Sequence, residues 1–373
     1  MEPIARGLAG VVAVATRISH VDGERGLLTI GGYPVEAIAP RATFEEALHL
    51  LWHGSLPSVA EADELHHRLA ARRWLPAGTI TLLHAAAARR LPIMDALRMA
   101  VDTLQLDAAT TLAGDPSARL SSAIDVVARV PTIVATYVRL RAGRPPVAPD
   151  ARLRHAANYL AMLRGEPATE AVVRALETYL VTVIDHGLSA STFAARVVAS
   201  TAAALPSAVV AALCALKGPL HGGAPGPVLD MFDGIEKAGN ADAWIADALK
   251  RGERLMGFGH RVYRVRDPRA NVLKTTVAKL KGRANRIAFA EAIEAAALRA
   301  LRDFKTERRL DTNVEFYTAL LLEALNIPRE AFTPVFALAR TSGWIAHIRE
   351  QETNGRLIRP QSRYVGTWPV KAA

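Results

Sequence analysis

The chain has 373 residues, 50% of them hydrophobic and 22% charged. That is enough apolar material for a large core and more than one domain, and it excludes disorder, collagen and a small stapled scaffold. Lysine and arginine number 46 against 36 acidic residues, a formal charge of +10 that suits an anionic ligand or a nucleic acid equally well. The basic residues are spread along the chain and only 6% of residues are aromatic, so no nucleic-acid partner is expected. Cys214 is the only cysteine, which removes an intrachain disulfide and any Cys-based zinc or iron–sulfur site. A reducing, cytoplasmic compartment is the expectation.

The chain starts MEPIARGLAG, acidic at position 2 and without an apolar stretch, so no secretory signal is expected. Strand-like alternation occurs only over residues 26–39, where Gly31 and Gly32 fit the turn of a small hairpin. Thr43 and Glu46 spell a capping box ahead of Ala47, Leu50 and Leu51. Residues 141–149, rich in proline and arginine, read as an exposed loop. The nearly apolar run 202–216 contains Pro206 and Ser207 and falls short of the ~20 residues of a membrane span; it reads as a buried helix, and no membrane association is expected. Asp267 and Pro268 fit an N-cap followed by a first-turn proline, and a basic patch follows from Lys274 to Arg286. Asn313 is placed to cap a helix through Tyr317, Leu321 and Leu325 that ends at Ile327-Pro328. Alanine and leucine at helical spacing dominate the remainder, so the predicted class is all-α with one small N-terminal β-hairpin. No repeat of 20 to 50 residues is apparent, which argues against a solenoid.

His49, His53, His66, His67 and His84 lie in amphipathic helical sequence, where a core or solvated role is the ordinary one. His186, His221 and His260 stand apart because glycines flank them, and glycine lets backbone approach a ligand closely. None has a partner at metal-ligand spacing, and no GxSxG elbow, Walker A loop or post-strand GxGxxG is present. Arg261, Arg264, Arg266 and Arg269 crowd the nine positions after His260. Planar guanidinium groups suit carboxylate or phosphate recognition, against the plainer alternative of a solvated basic face.

Five segments taken together resemble the citrate synthase family. They are DHGLSASTFAARV around His186, GPLHGGA around His221, GFGHRVYRVRDPRA around His260, NVEFYTALLLEALNIP around Glu315 and FALARTSGWIAHIREQ around Arg340. The resemblance covers nearly the whole chain and the short, dimeric type. It implies a two-domain helical fold, with a large domain from residues 1–221 and 323–373 and a small domain at 222–322 that carries the CoA and catalytic segments. The implied reaction joins acetyl-CoA to oxaloacetate in a Claisen-type condensation and hydrolyses the thioester to citrate and CoA. No metal or other cofactor is implied, the CoA thioester being a substrate.

By the same resemblance His221, His260 and Glu315 are catalytic. Glu315 is the base, His221 the donor to the enolate oxygen and His260 the donor to the oxaloacetate ketone. His186, Arg269 and Arg340 bind the substrate carboxylates, and Arg359 reaches the site of the other subunit in a homodimer. Gly257, Phe258, Gly259 and Arg264 match the CoA contacts. A helix start after His221 is expected to keep its imidazole neutral. Glu315, near a helix N-terminus and arginines, is expected to be largely ionised at neutral pH. Two positions depart from the common family pattern: Glu315 stands where aspartate is usual, and Ser189 where asparagine is usual. Two alternatives stay open, a 2-methylcitrate synthase using propionyl-CoA and a non-catalytic paralogue that binds CoA or a carboxylate ligand.

Overall fold

The computed structural model describes residues 5–8, 10–107, 116–221, 225–280, 284–304 and 310–367. Among these it contains one three-stranded antiparallel sheet in the order β1 (Ser19–Asp22), β2 (Leu27–Ile30), β3 (Tyr33–Pro34). The β2–β3 turn is Gly31-Gly32, as the sequence suggests, with φ of 54° and 87°. Positive φ at both central residues is the requirement of a type I′ turn, which glycine meets without strain. The sheet departs from the sequence reading at both ends. It begins at Ser19, with Ser19 paired to Ile30, and the stretch after Pro34 is the short helix α1 (Val35–Ile38) rather than strand.

Then follow α2 (Phe44–His53), α3 (Val59–Ala70), α4 (Ala77–Ala88), α5 (Ile93–Thr103), α6 (Pro116–Arg141), α7 (His155–Arg164), α8 (Glu170–Val183), α9 (Ala190–Ala199) and α10 (Leu205–Lys217). The C-terminal third carries α11 (Pro225–Ala238), α12 (Ala241–Lys250), α13 (Pro268–Ala278), α14 (Ala284–Phe304), α15 (Val314–Ala324) and α16 (Phe332–Asn354). Local chemistry starts many of them. Thr43 and Glu46 form the capping box of α2, Asp267 caps α13 ahead of Pro268, and Asn313 caps α15, each satisfying backbone donors that a helix start leaves unpaired. The run 202–216 forms α10, and among the described residues no helix is long and apolar enough to cross a membrane.

α16 is the axis of the fold, packing on α9, α10, α6, α8 and α2. Its buried Trp344, Ile345 and Ile348 join Tyr137, Tyr179 and Phe332 in the core. Helices α11 to α15 pack mainly on one another, and α13 also contacts α8 and α1. Gly222, at which the expected small domain begins, lies outside the described residues.

Candidate active site

The end of α8, the starts of α9, α13 and α15, the middle of α16, the segment after α10 and the loop before α13 deliver side chains to one place. After α8 the chain turns through Gly187, whose φ is 59°, a left-handed conformation that glycine adopts freely. The buried Asp185 anchors this turn. Its carboxylate accepts from the Gly187 amide at 3.0 Å and from the Ser19 hydroxyl, and faces His347 Nε2 at 3.4 Å. Burial opposes ionisation of Asp185, but His347, Arg340 and Ser19 outweigh it and hold the carboxyl below its ordinary range. α16 passes so close to this turn that a Cβ at Gly343 would stand 2.4 Å from the Ile184 carbonyl oxygen.

The half-buried His186 reaches Tyr263 Oη at 3.1 Å from Nε2, and its ring meets His260 edge-on with centroids 5.4 Å apart. Burial, with Arg269, His260 and Arg340 nearby, pushes its pKa well down, so it is neutral. His260 is also neutral, pushed down to about 4 by burial and by Arg269. Its Nδ1 accepts from the backbone amides of Val262 and Tyr263 at 3.0 and 3.2 Å. A neutral imidazole carries one proton, so in His260 that proton sits on Nε2.

His221 has the opposite tautomer. Its Nε2 accepts from the Ser191 amide at 3.2 Å and lies 2.7 Å from Ser191 Oγ. Trp344 Nε1 donates to that same oxygen at 3.1 Å, which leaves the hydroxyl hydrogen for Nε2. The His221 proton is therefore on Nδ1. Burial and the charge of Arg340 lower its pKa and keep it neutral. Ser191 and Trp344 were not singled out from the sequence, and neither was Tyr263.

Arg269 is buried at the start of α13 and pairs with Asp267 through two parallel bonds, Nε to Oδ1 at 3.0 Å and Nη2 to Oδ2 at 2.8 Å. Arg340, only 2% exposed, donates from Nε to the Val183 carbonyl at 2.8 Å, and its Nη2 is buried with no hydrogen-bond partner. A buried guanidinium N–H without an acceptor costs about 1–3 kcal/mol or more, so Nη2 is a donor held ready for an anion. Desolvation pushes Arg340 down to about 10, still charged at neutral pH.

Glu315 is in the first turn of α15, its amide donating to Asn313 Oδ1 at 3.0 Å. Burial raises its pKa to about 7; Asp267 adds to this, while Arg269 and Arg340 oppose it. The carboxylate is thus only about half ionised at neutral pH, against the largely ionised group expected from the sequence. Burial outweighs the helix start and the arginines.

Asn313 also donates from Nδ2 to the Gly259 carbonyl at 2.8 Å, and backbone bonds run from Gly259 N to Asp311 O at 2.7 Å and from Asn313 N to Gly257 O at 2.9 Å. The run Gly257, Phe258, Gly259 is so fixed beside the start of α15, which carries Glu315. Gly257 and Gly259 have φ of 84° and 79°, and a Cβ on Gly257 would stand 2.9 Å from Phe316. Arg264 is apart from the buried cluster, half-exposed and 3.8 Å from Glu24. Arg359 is exposed, and none of the hydrogen bonds or ion pairs among the described residues links it to the cluster. Ser189 caps α9, its Oγ 3.0 Å from Thr192 Oγ1, so its hydroxyl serves the helix start.

A largely helical enzyme that gathers a buried carboxyl group, three neutral imidazoles and two buried guanidinium groups is equipped for carbon-acid chemistry on anionic substrates. Comparison with known proteins gives that class its family. A family model described as "Citrate synthase, C-terminal domain" matches residues 7–361, and the chain belongs to the citrate synthase family. It is 40% identical over 368 residues to a citrate synthase of Haloferax volcanii, covering 97% of this chain and 96% of the relative. It is 38% identical over 363 residues to a 2-methylcitrate synthase of Mycobacterium tuberculosis, covering 97% and 91%. A Thermoplasma acidophilum citrate synthase, solved as a ternary complex with carboxymethyl coenzyme A and oxaloacetate, superposes with a TM-score of 0.90 at 31% identity, covering 100% of this chain and 99% of that one.

Proposed function

We propose that the protein condenses acetyl-CoA with oxaloacetate and hydrolyses the product thioester, releasing citrate and CoA. The observation that carries this reading is Glu315, a buried carboxylate with its pKa raised to about 7, among imidazoles of complementary tautomer. A base whose pKa matches the working pH combines ionised population with proton affinity. Glu315 takes a proton from the acetyl methyl. His221 Nδ1–H donates to the thioester oxygen as it becomes an enolate. His260 Nε2–H donates to the oxaloacetate ketone and sharpens the electrophile. Arg269, Arg340 and His186 hold the carboxylates. The scheme moves protons between side chains and substrates and calls for no metal or other cofactor.

In this reading residues 222–322 form a small domain over a large one made from 1–221 and 323–373, with substrates between them. CoA lies on Gly257, Phe258 and Gly259 with a phosphate at Arg264. The working unit is a cytoplasmic homodimer in which Arg359 completes the other subunit's site. The test is thiol release with acetyl-CoA, with and without oxaloacetate. Release is expected only with both, since the keto acid completes the closed site, and equal hydrolysis without oxaloacetate would defeat the reading. A 2-methylcitrate synthase is the second reading, favoured by the 38% identical relative of that name. One methylene is worth about 1–3 kcal/mol in a pocket, so running propionyl-CoA in the same assay separates the two by up to about two orders of magnitude.

A further inference from the structure

The N-terminal hairpin touches two of the segments that bring histidines to the site, those of His186 and His260. At the β1 end, the Ser19 hydroxyl donates to Asp185 and accepts from the Gly187 amide at 2.9 Å, so it grips the turn that presents His186. At the other end, the β1–β2 turn lies on the loop 260–266. The Arg264 amide donates to the Gly23 carbonyl at 2.9 Å, and a Cβ on Gly23 would stand 2.2 Å from the Val262 carbonyl oxygen and 2.8 Å from its carbon. The φ of Gly23 lies outside the left-handed region. Its own backbone would accept alanine, and only the approach of the loop demands glycine. The turn is stiffened locally, with Asp22 Oδ1 accepting from the amides of Glu24 and Arg25 at 3.1 and 3.0 Å.

We propose that this hairpin is a positioning element of the active site, a jig whose Ser19 end seats the loop 185–187 and whose Gly23 end seats the loop 260–266, setting the spacing between His186 and His260. The proposal rests on the roles given to those histidines under the proposed function. β1 and its turn cover residues 19–26, short enough to act as one stiff piece, and the hairpin acts beside the direct contact of His186 with Tyr263 and His260. Glu24, 3.8 Å from Arg264, places the same turn beside the arginine assigned to CoA.

The decisive variant is Gly23→Ala. Relieving a 2.2 Å approach moves the loop by about 1 Å, and a displacement of that size at a catalytic group costs up to about 10²-fold in rate. The expected result is a 10- to 100-fold lower kcat in the thiol-release assay. Amide hydrogen exchange in the unliganded protein should rise in residues 260–266 and stay unchanged in α9 and α16. Wild-type kcat, or unchanged exchange in 260–266, overturns the proposal. Should the wild-type protein show no oxaloacetate-dependent release, the functional reading fails, and the exchange arm still decides whether Gly23 seats the loop. Should Gly23→Ala loosen exchange throughout the chain, Ser19→Ala carries the test from the other end. A kcat lowered about tenfold, with exchange raised only around 185–187, supports the jig, and an unchanged kcat refutes it.

Discussion

Glu315→Gln should cost activity and gain stability at once, and the gain should appear only at the pH where the carboxylate is ionised. In the folded chain burial lifts the Glu315 pKa from an ordinary 4.5 to about 7. The folded state therefore holds the proton more tightly than the unfolded chain, and stability falls as pH rises from 4.5 through 7. At 1.36 kcal/mol for each factor of ten, the ionised glutamate costs about 3 kcal/mol above pH 8 and nothing below pH 4. Glutamine has the shape of the protonated acid, so the variant should match wild type near pH 4 and exceed it by about 3 kcal/mol at pH 8. Spread over the unfolding entropy of a chain this long, that is about 4 °C in melting temperature. Paired thermal melts at the two pH values measure it. In the same variant, turnover should fall by about 10²-fold or more, the range of general base catalysis, with oxaloacetate affinity nearly unchanged. In wild type, kcat/KM should rise with pH through about 7 as the base ionises. A stability gain of equal size at both pH values, or near-wild-type turnover, would refute the assignment of Glu315 as a buried, half-ionised base.

Asp267→Asn removes the anion that raises the Glu315 pKa and occupies Arg269; the acid limb of kcat/KM should move to lower pH, and a limb that stays or moves up counts against the coupling. Ser191→Ala deletes the hydroxyl between Trp344 and His221 and should lower kcat about tenfold with little change in the KM for oxaloacetate, by steady-state kinetics. Arg340→Lys replaces a planar fork, which bonds the Val183 carbonyl through Nε and presents Nη2 from a separate atom, with a single ammonium nitrogen that cannot stand at both places, so the KM for oxaloacetate should rise about 10²-fold; an unchanged KM would remove Arg340 from the carboxylate site. Mixing His221→Ala with Arg359→Ala subunits should restore part of the activity if Arg359 serves the partner's site, and no recovery after verified subunit exchange removes that role.

Much of the fold was legible because its signals are local. The Thr43–Glu46 box, the Asp267-Pro268 start and the Asn313 cap are each decided within four residues, and the Gly31-Gly32 turn follows from φ alone. β1 was missed because Ser19, His20, Val21 and Asp22 show no apolar alternation; its strand character comes from pairing with β2. Residues 35–38 read as strand from their β-branched content, yet form a helical turn after Pro34. The site divides along the same line. The cluster of His186, His221, His260, Arg269, Glu315 and Arg340 was named from motifs, and the structure brings these together. Ser191 and Trp344, 153 residues apart in sequence, could not be paired before the chain was folded. Their only sequence signal is that Trp344 follows Arg340 by four positions, placing both on one face of α16.

The same distance between motif and environment explains why the ionisation of Glu315 ran against expectation. Near a helix N-terminus and beside two arginines, a carboxylate should be strongly acidic. What the motif does not reveal is how those arginines are occupied. Asp267 takes the fork of Arg269 in two parallel bonds, so Glu315 faces a pair close to neutral. Arg340 spends Nε on the Val183 carbonyl and is itself so desolvated that its pKa falls to about 10. With its neighbouring charges partly cancelled, burial decides the balance. Burial first, and then the charges of Arg269 and Arg340, also disfavour a third cation in the cluster, so His186, His221 and His260 stay neutral. A site that must hold a dianionic keto acid on guanidinium groups can use imidazole as a donor only in the neutral form, with the proton's side chosen by backbone amides and Ser191. Burial is thus the common cause at Glu315 and at the three histidines, and Asp267, which binds no substrate in this scheme, adds to it at Glu315 by occupying Arg269 and raising the carboxyl pKa.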